Sequence, residues 1–498
     1  MQEVIRLKPL APNQPAIPID PNKAKALKWV RGLIWTYFIL LIFEGTLRKW
    51  ILPQYSDILL VVRDPVAIAI YLLAIKARVF PRNGYMLALG IIALISWLVS
   101  LVVLEPYLPL KSLILVTGFG FRSNFLHLPL IFVIGKVWDQ DDLLKLGKWV
   151  LIGSLPMSLL LAIQFNAAPD AFINRTAGLG ETLQIASAVD KIRPPGTFSF
   201  VSGVVFCAAL STVYLVYGGL TRGVYRNWVL FSAGFALMVA IGVSGSRSVL
   251  LSVVLVIATL LVVIVVRPSA LNQFGRNLLI IVAVLFLVTR VPVFKEGMKV
   301  LSDRFTTTAE AEETTIAGGL IARGFSGFIE AFKFIPNAPI GGYGLGIGTN
   351  GGAKFLTGRA VFLLTEGEWG RVVLESGPIL GMAYLFWRTA LVFSLGMLSL
   401  RQLMRGEILT ILLYGAGFLA LLNGQFGQPT SLGFAVFICG LILASANKGK
   451  VASEIERLEP ALSSRPQIAR RSRYAEQLHH SSAAPAPAPR DSDDSPDW

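Results

Sequence analysis

The sequence predicts an all-α polytopic membrane protein of about 12 transmembrane helices, with a large periplasmic loop carrying short helices. Three observations predict it. Hydrophobic residues fill 54% of the 498 positions and charged residues only 15%, and the mean hydropathy is +0.64, a balance outside the range of soluble domains. Apolar runs of about 20 residues, the length a helix needs to cross a hydrocarbon core, recur along most of the chain. Lys and Arg fall in every second connection between them, as expected of cytoplasmic loops. An outer-membrane barrel would show short alternating segments instead, and there are none.

The runs start near Arg31, Asp57, Tyr85, Lys111, Lys148, Phe198, Trp228, Arg247, Arg276, Val372, Ile408 and Thr430. Lys23, Lys25, Lys28 and Arg31 precede the first. Lys76, Arg78 and Arg82 follow the second, and Lys136, Lys145 and Lys148 follow the fourth. The pattern continues through Arg222 with Arg226, Arg267 with Arg276, Arg401 with Arg405, and Lys448 with Lys450, so both termini are expected in the cytoplasm. Residues 1–30, with five prolines from Pro9 to Pro21 and no apolar h-region, read as a cytoplasmic arm. Residues 31–447 form the transmembrane domain. Residues 448–498 pass through an Ala-Pro repeat to an acidic end, a composition that cannot bury a core and reads as a disordered tail. Two non-cytoplasmic loops, 166–196 and 290–371, are too long to be simple links. The second contains an amphipathic stretch, Gly318 to Phe334, and a Gly-rich run, Gly341 to Gly352, which together suggest a lid whose glycine run is a flexible loop close to a substrate.

A formal net charge of +15 could suggest nucleic acid, but its distribution follows membrane topology, so the expected partner is the lipid bilayer and no nucleic acid. Cys207 and Cys439, the only cysteines, lie inside apolar runs, which argues against a disulfide framework, a zinc site and a thiol nucleophile. No His/Cys/carboxylate cluster has metal spacing, so no metal and no cofactor are expected. Gly341 to Gly352 lacks the Lys-Ser/Thr of a nucleotide-binding loop.

Charges near the non-cytoplasmic ends are the candidate site residues, because ionisable groups entering a bilayer are costly and face polar cavities. Glu368, Arg371 and Glu375, spaced i, i+3, i+7, share one face of a helix; a salt-bridged helix start is the plainer alternative. In Arg193-Pro-Pro-Gly-Thr197-Phe-Ser199 the prolines hold Arg193 extended while Thr197 or Ser199 caps the next helix. Arg247, in Ser244-Gly-Ser-Arg-Ser, occupies a short turn from which positive-inside bias should exclude it. Arg122 lies deep in the membrane if its span begins near Lys111, and at the mouth if Tyr107 to Thr117 is re-entrant. Glu44, Arg48, Arg63 and Asp64 offer opposite charges that could pair and hold the first two spans together.

Several of these pieces resemble the O-antigen polymerase and ligase superfamily: Arg193-Pro-Pro-Gly-Thr-Phe, the Arg247 turn, the large loop, and Gly344-Leu-Gly-Ile-Gly-Thr-Asn350 followed by Glu375-Ser-Gly-Pro-Ile-Leu-Gly. Phe43-Glu44-Gly-Thr-Leu-Arg48-Lys-Trp and Gly120-Phe-Arg-Ser-Asn-Phe-Leu are similar to a subgroup of polysaccharide repeat-unit polymerases. The resemblance implies a GT-C-like inner-membrane glycosyltransferase. It would take glycan from undecaprenyl diphosphate outside the cytoplasm and pass it to an acceptor hydroxyl without a metal, lengthening O-antigen, capsule or exopolysaccharide with inversion at the anomeric carbon. It also implies that Arg193 and Arg247 hold the donor diphosphate, with Arg122 and Arg371 as further candidates, and it admits a chain-length regulator as partner. Glu368, with Glu366 second, is the expected proton acceptor, supported by Glu375, Asn350, Glu44 and Arg48. Ligases of the superfamily present a histidine in the large loop, and residues 290–371 contain none; a ligase is therefore the alternative, and a transporter or flippase of lipid-linked sugars the alternative from another class.

Overall fold

A computed structural model of the chain describes residues 21–177, 192–221, 223–266, 268, 327, 331–359 and 361–447. Of two compact units, Ile19–Ser453 holds every described element, while Met1–Pro18 with Glu454–Trp498 falls outside the described residues. The expected tail, most of the arm, the span near Arg276 and most of the stretch from Gly318 to Phe334 also fall outside them.

The helices are α1 (Pro21–Thr46), α2 (Arg63–Lys76), α3 (Gly84–Leu104), α4 (Leu110–Phe121), α5 (Pro129–Val137), α6 (Gln140–Asn166) and α7 (Ser202–Leu220). They continue with α8 (Asn227–Val243), α9 (Arg247–Val266), α10 (Asn350–Thr357), α11 (Glu368–Arg405), α12 (Ile408–Asn423) and α13 (Pro429–Ala446). Among the described residues, nine helical stretches are long and apolar enough to cross a membrane, and α8 and α12 are shorter apolar helices. The chain is thus a multi-pass helical membrane protein.

Three helix boundaries differ from the sequence reading. α1 begins at Pro21, so Lys23, Lys25 and Lys28 lie on its first turns and not in an extended arm. α6 begins at Gln140, well before Lys148, because the Asp139 carboxylate accepts the Asp142 N–H and caps it. α7 begins at Ser202 with no side-chain cap, so neither Thr197 nor Ser199 caps it; the Ser199 hydroxyl instead accepts a hydrogen bond from Arg48 at 3.1 Å.

The chain alternates between two ends of the bundle, here termed upper and lower. At the lower end Arg31 of α1 pairs with Asp139 at 2.6 Å, and Asn447 after α13 donates to the Gly135 carbonyl of α5 at 2.9 Å. At the upper end α2, α4, α7, α9 and α13 begin. α13 is buried along almost its whole length because small residues let its neighbours approach: Gly440 sits against Ile134 and Gly417 of α12 against Ile438. α4 and α5 form one span, Leu110–Val137, widened by a π turn at Arg122–Leu126. Arg122 therefore lies deep, about 18 Å along the helix from Leu110, and the re-entrant alternative is set aside.

Candidate functional site

α11 is two arms, not one rod. Gly377 has φ 78° and ψ 169°, a conformation essentially reserved for glycine, and Pro378 follows it. A straight helix would separate Glu368 from Arg388 by about 30 Å, yet Arg388 Nη1 donates to Glu368 Oε1 at 2.9 Å. The arms lie side by side, and a Cβ on Gly381 would come within 2.8 Å of Val373 Cα. The first arm is buried from Glu368 to Gly377, a short helix folded back into the bundle.

The i, i+3, i+7 charges meet inside this hairpin. Arg371 binds Glu368 through Nε at 3.1 Å and Nη2 at 2.9 Å, Glu375 through Nη1 at 2.6 Å, and the Asn124 carbonyl oxygen of its side chain at 2.8 Å. Arg388 completes the set by donating to the backbone oxygens of Leu421 at 2.9 Å and Gly424 at 3.2 Å. Two carboxylates thus face two guanidiniums in a buried, formally neutral cluster, the arrangement by which such charges survive out of water. The acceptor sites of Glu368 are taken up by these donors, and the guanidinium of Arg371 is spent on its two carboxylates.

The Gly-rich run closes over this cluster as a packed wedge, which corrects the expectation of a flexible loop. Pro378 has no N–H to offer Leu374; the Leu374 carbonyl accepts from Tyr343 N at 2.8 Å instead, and that of Glu375 from Gly344 N at 3.0 Å. Gly348 N donates to Glu375 Oε1 at 2.9 Å, and Leu345 N to Ser100 Oγ at 2.9 Å. Side chains are excluded on steric grounds: a Cβ on Gly342 (φ +70°) would collide with the Glu375 carbonyl, and one on Gly346 (φ +94°) with that of Val116. Asn350 opens α10 behind the wedge, where Thr349 caps the helix through Gly352 N; Asn350 Oδ1 is buried with no hydrogen-bond partner among the described residues.

A second cluster joins α1, α2 and the α4–α5 span. Glu44 pairs with Arg48 at 3.3 Å and Arg63 at 3.1 Å, and Asp64 pairs with Arg122 at 2.5 Å and lies 3.0 Å from His127 Nε2. His127 Nδ1 is 3.2 Å from the Tyr37 hydroxyl, so both ring nitrogens are engaged as in a hydrogen-bonded core histidine. Arg63, Arg48 and Arg122 are three guanidiniums against two carboxylates, so this cluster, unlike the first, keeps an excess of positive charge. Lys49 adds to it. Its ammonium is wholly buried, donates to the Gly196 carbonyl at 2.6 Å, lies 4.4 Å from the centre of the Trp50 ring, and meets no carboxylate among the described residues.

Gly196 belongs to the segment that carries Arg193, and this segment is pressed against the end of α1, where a Cβ on Gly45 would strike Phe198 and Ser199. Gln164 of α6 holds the turn by accepting from Gly196 N at 2.8 Å. Thr197 then lines the mouth of an apolar cavity of about 750 Å³ between α1, α6, α7 and α8. The cavity extends along α6 from Trp149 to Leu161, about 18 Å of helix, and Ile39, Phe43 and Trp149 on its lining are exposed. The groove is open toward lipid, and Thr197 on its lining follows the Gly196 whose carbonyl Lys49 binds.

Of the sequence candidates, Arg193 and Arg247 share the upper end. Arg247 opens α9, which runs parallel to α7: Ser252 donates to the Val205 carbonyl near their starts at 3.2 Å, and Leu220 packs with Leu260 and Val263 near their ends. Glu44, Arg48 and Arg122 gather in the cationic cluster, Glu368, Arg371 and Glu375 in the neutral one. Glu366 stands outside both and is exposed. Its carbonyl accepts from Gln425 Nε2 at 3.1 Å, and from Gln425 a polar path passes to Gln428 at 2.5 Å and Ser202 at 3.5 Å, toward Ser199 and Arg48. Sequence reasoning missed Lys49, although it is the neighbour of Arg48, and Arg388, a lone charge in an apolar run of the kind that marks a partner within the membrane. It also missed Asn124, Gln425 and Gln428. No group of three or more His, Cys, Asp or Glu residues suited to a metal occurs among the described residues. No family model matches the chain, and no curated protein matches it.

Proposed function

We propose that the chain is a glycosyltransferase that takes an oligosaccharide from a polyprenyl diphosphate at the upper, non-cytoplasmic end and joins it to the next lipid-linked repeat unit. The observation that carries this reading is the apolar groove whose lining includes Thr197, the neighbour of the Gly196 whose carbonyl Lys49 binds, since a donor with a long isoprenoid tail and a diphosphate head pairs the same two chemistries. Because the tail is already in hydrocarbon, the groove selects it by van der Waals packing and shape and not by transfer from water. Fixed guanidinium and ammonium groups stabilise the charge that develops on a departing diphosphate, and Arg is suited to bidentate phosphate contact.

In the proposed reaction the acceptor hydroxyl oxygen attacks the anomeric carbon as the bond to the diphosphate oxygen breaks, and the diphosphate leaves with the electron pair. The hydroxyl proton passes to a carboxylate. Glu366 suits this task better than Glu368: its side chain makes no hydrogen bond among the described residues, and a path through Gln425 and Gln428 runs from its backbone carbonyl to Ser202, three residues from the Ser199 that Arg48 engages. Arg371 and Glu375 then act by holding the α11 hairpin, and Arg247 faces the same end as Arg193.

Reconstitution of the purified chain with undecaprenyl-diphosphate repeat units tests the proposal. Lengthened lipid-linked glycan supports it. Transfer only to a foreign acceptor would make the chain a ligase, movement across the bilayer without covalent change would make it a flippase, and either result overturns the polymerase reading.

A further inference from the structure

We propose that the lower end carries a binding site for the headgroup of an anionic phospholipid, separate from the upper groove and independent of the glycosyl-transfer reading. A cavity of about 840 Å³ opens there between α3, α5, α11 and α13. Its walls are apolar, with Phe132, Leu395, Leu398 and Leu443 among them, and two cations stand on its lining, Lys136 of α5 and Arg401 of α11. A second cavity of about 620 Å³ shares Lys136 and adds Arg78 and Arg82. Lys136 thus stands on both cavities, with Arg401 on the first and Arg78 and Arg82 on the second.

None of the four has an acidic partner within salt-bridge distance among the described residues. Asp139 also lines the larger cavity, but its carboxylate is held by Arg31 at 2.6 Å. Trp138 supplies an independent sign of a missing acceptor: it lines the cavity, is 2% exposed, and its indole Nε1 is buried without a hydrogen-bond partner among the described residues. An N–H donor left dry is costly, and a phosphate oxygen is an acceptor that would satisfy it.

The occupant is a lipid because of what flanks the cations. Phe393 and Met397 of α11, both on the lining, are 69% and 53% exposed, as acyl-facing residues are. Lys76, Arg78, Arg82, Lys136, Lys145, Lys148, Arg401 and Arg405 all lie toward this end, which the positive-inside rule turns to the cytoplasm. Basic pockets between transmembrane helices on that side suit acidic headgroups.

The test is retention of phosphatidylglycerol by the full-length chain, purified from phosphatidylcholine vesicles doped with phosphatidylglycerol and weighed by native mass spectrometry. Joint replacement Lys136→Gln with Arg401→Gln is expected to lower retention by tenfold or more. Lys145→Gln with Lys148→Gln, which removes two exposed cations of α6 outside the cavity, leaves retention within about twofold. Leu398→Trp fills the apolar wall without touching charge and is expected to lower retention as well, which guards against a charge variant that merely misfolds. Equal loss in the two charge pairs means diffuse surface attraction and overturns the site. So does undiminished retention in all variants, or displacement of the lipid by inorganic phosphate alone, which would mark a soluble anion as the ligand.

Discussion

Glu368 and Arg388 stand 20 residues apart in the chain and 2.9 Å apart in space, and the fold of the upper end turns on that contact. It requires the reversal at Gly377, the reversal leaves carbonyls that the Gly-rich run satisfies, and that run seats Gly348 on Glu375. Breaking a buried pair by removing one partner costs about 3–5 kcal/mol. Arg388→Met is therefore expected to lower thermal stability sharply in detergent, and Glu368→Gln to do so with it. The double variant should recover part of the loss; a double-mutant cycle with no coupling would show that the two residues do not stabilise each other.

Gly342→Ala and Gly346→Ala each force a Cβ into a backbone carbonyl at positive φ, and each should cost about 1–3 kcal/mol. Gly90→Ala, in an exposed stretch of α3 where a Cβ meets nothing within 4 Å, should be neutral or stabilising by about 0.5–1 kcal/mol. Comparing unfolding midpoints of the three variants checks this, and equal effects would mean that the wedge is loose.

Lys49→Gln removes an ammonium that has no carboxylate partner among the described residues, so it should leave the fold intact while weakening donor capture. Charge-assisted hydrogen bonds contribute about 1.5–3 kcal/mol, which corresponds to roughly tenfold to a hundredfold in Kd. Binding of a labelled polyprenyl diphosphate to the purified chain measures it, and an unchanged Kd would remove Lys49 from the site.

Cys207→Trp obstructs the apolar groove, which Cys207 lines, without altering any charge. It is expected to abolish use of a long isoprenoid donor and to spare a donor with a short prenyl chain. Equal loss for both would place the tail elsewhere.

Glu366→Gln should reduce turnover by about 10²- to 10⁴-fold, the usual contribution of a general base, with donor Kd unchanged. Glu368→Gln should act mainly through stability. Single-turnover rates beside unfolding curves separate the two roles, and normal turnover in Glu366→Gln would exclude it as proton acceptor.

The helices were legible in the sequence because apolar length is a strong signal: Arg247, Ile408 and Thr430 lie at or beside the observed starts of α9, α12 and α13. The spacing of Glu368, Arg371 and Glu375 was also legible, since helical periodicity alone brings those side chains together. The hairpin was not. Gly377-Pro378 signals a break, but the direction in which the chain resumes depends on Arg388, Leu421 and the wedge, all distant in sequence. The cationic excess was hidden for a similar reason. Which of Glu44, Asp64, Arg48, Arg63 and Arg122 cancel one another is a matter of geometry, and a count of charges near one end of a span cannot decide it. The glycine run misled because composition suggests mobility, whereas here the missing side chains make room for backbone contact.

The folded-back arm also constrains how the chain is built. Arg388 emerges during synthesis before Leu421 and Gly424, whose carbonyls it will engage, and an arginine within an apolar transmembrane segment is costly to insert unpaired. Until α12 arrives, Glu368 is the one acidic partner of Arg388 among the described residues, so the acidic arm serves as a built-in escort for its own transmembrane successor. Nascent chains halted before Leu421 should then depend on Glu368 for integration, and chains halted after Phe426 much less.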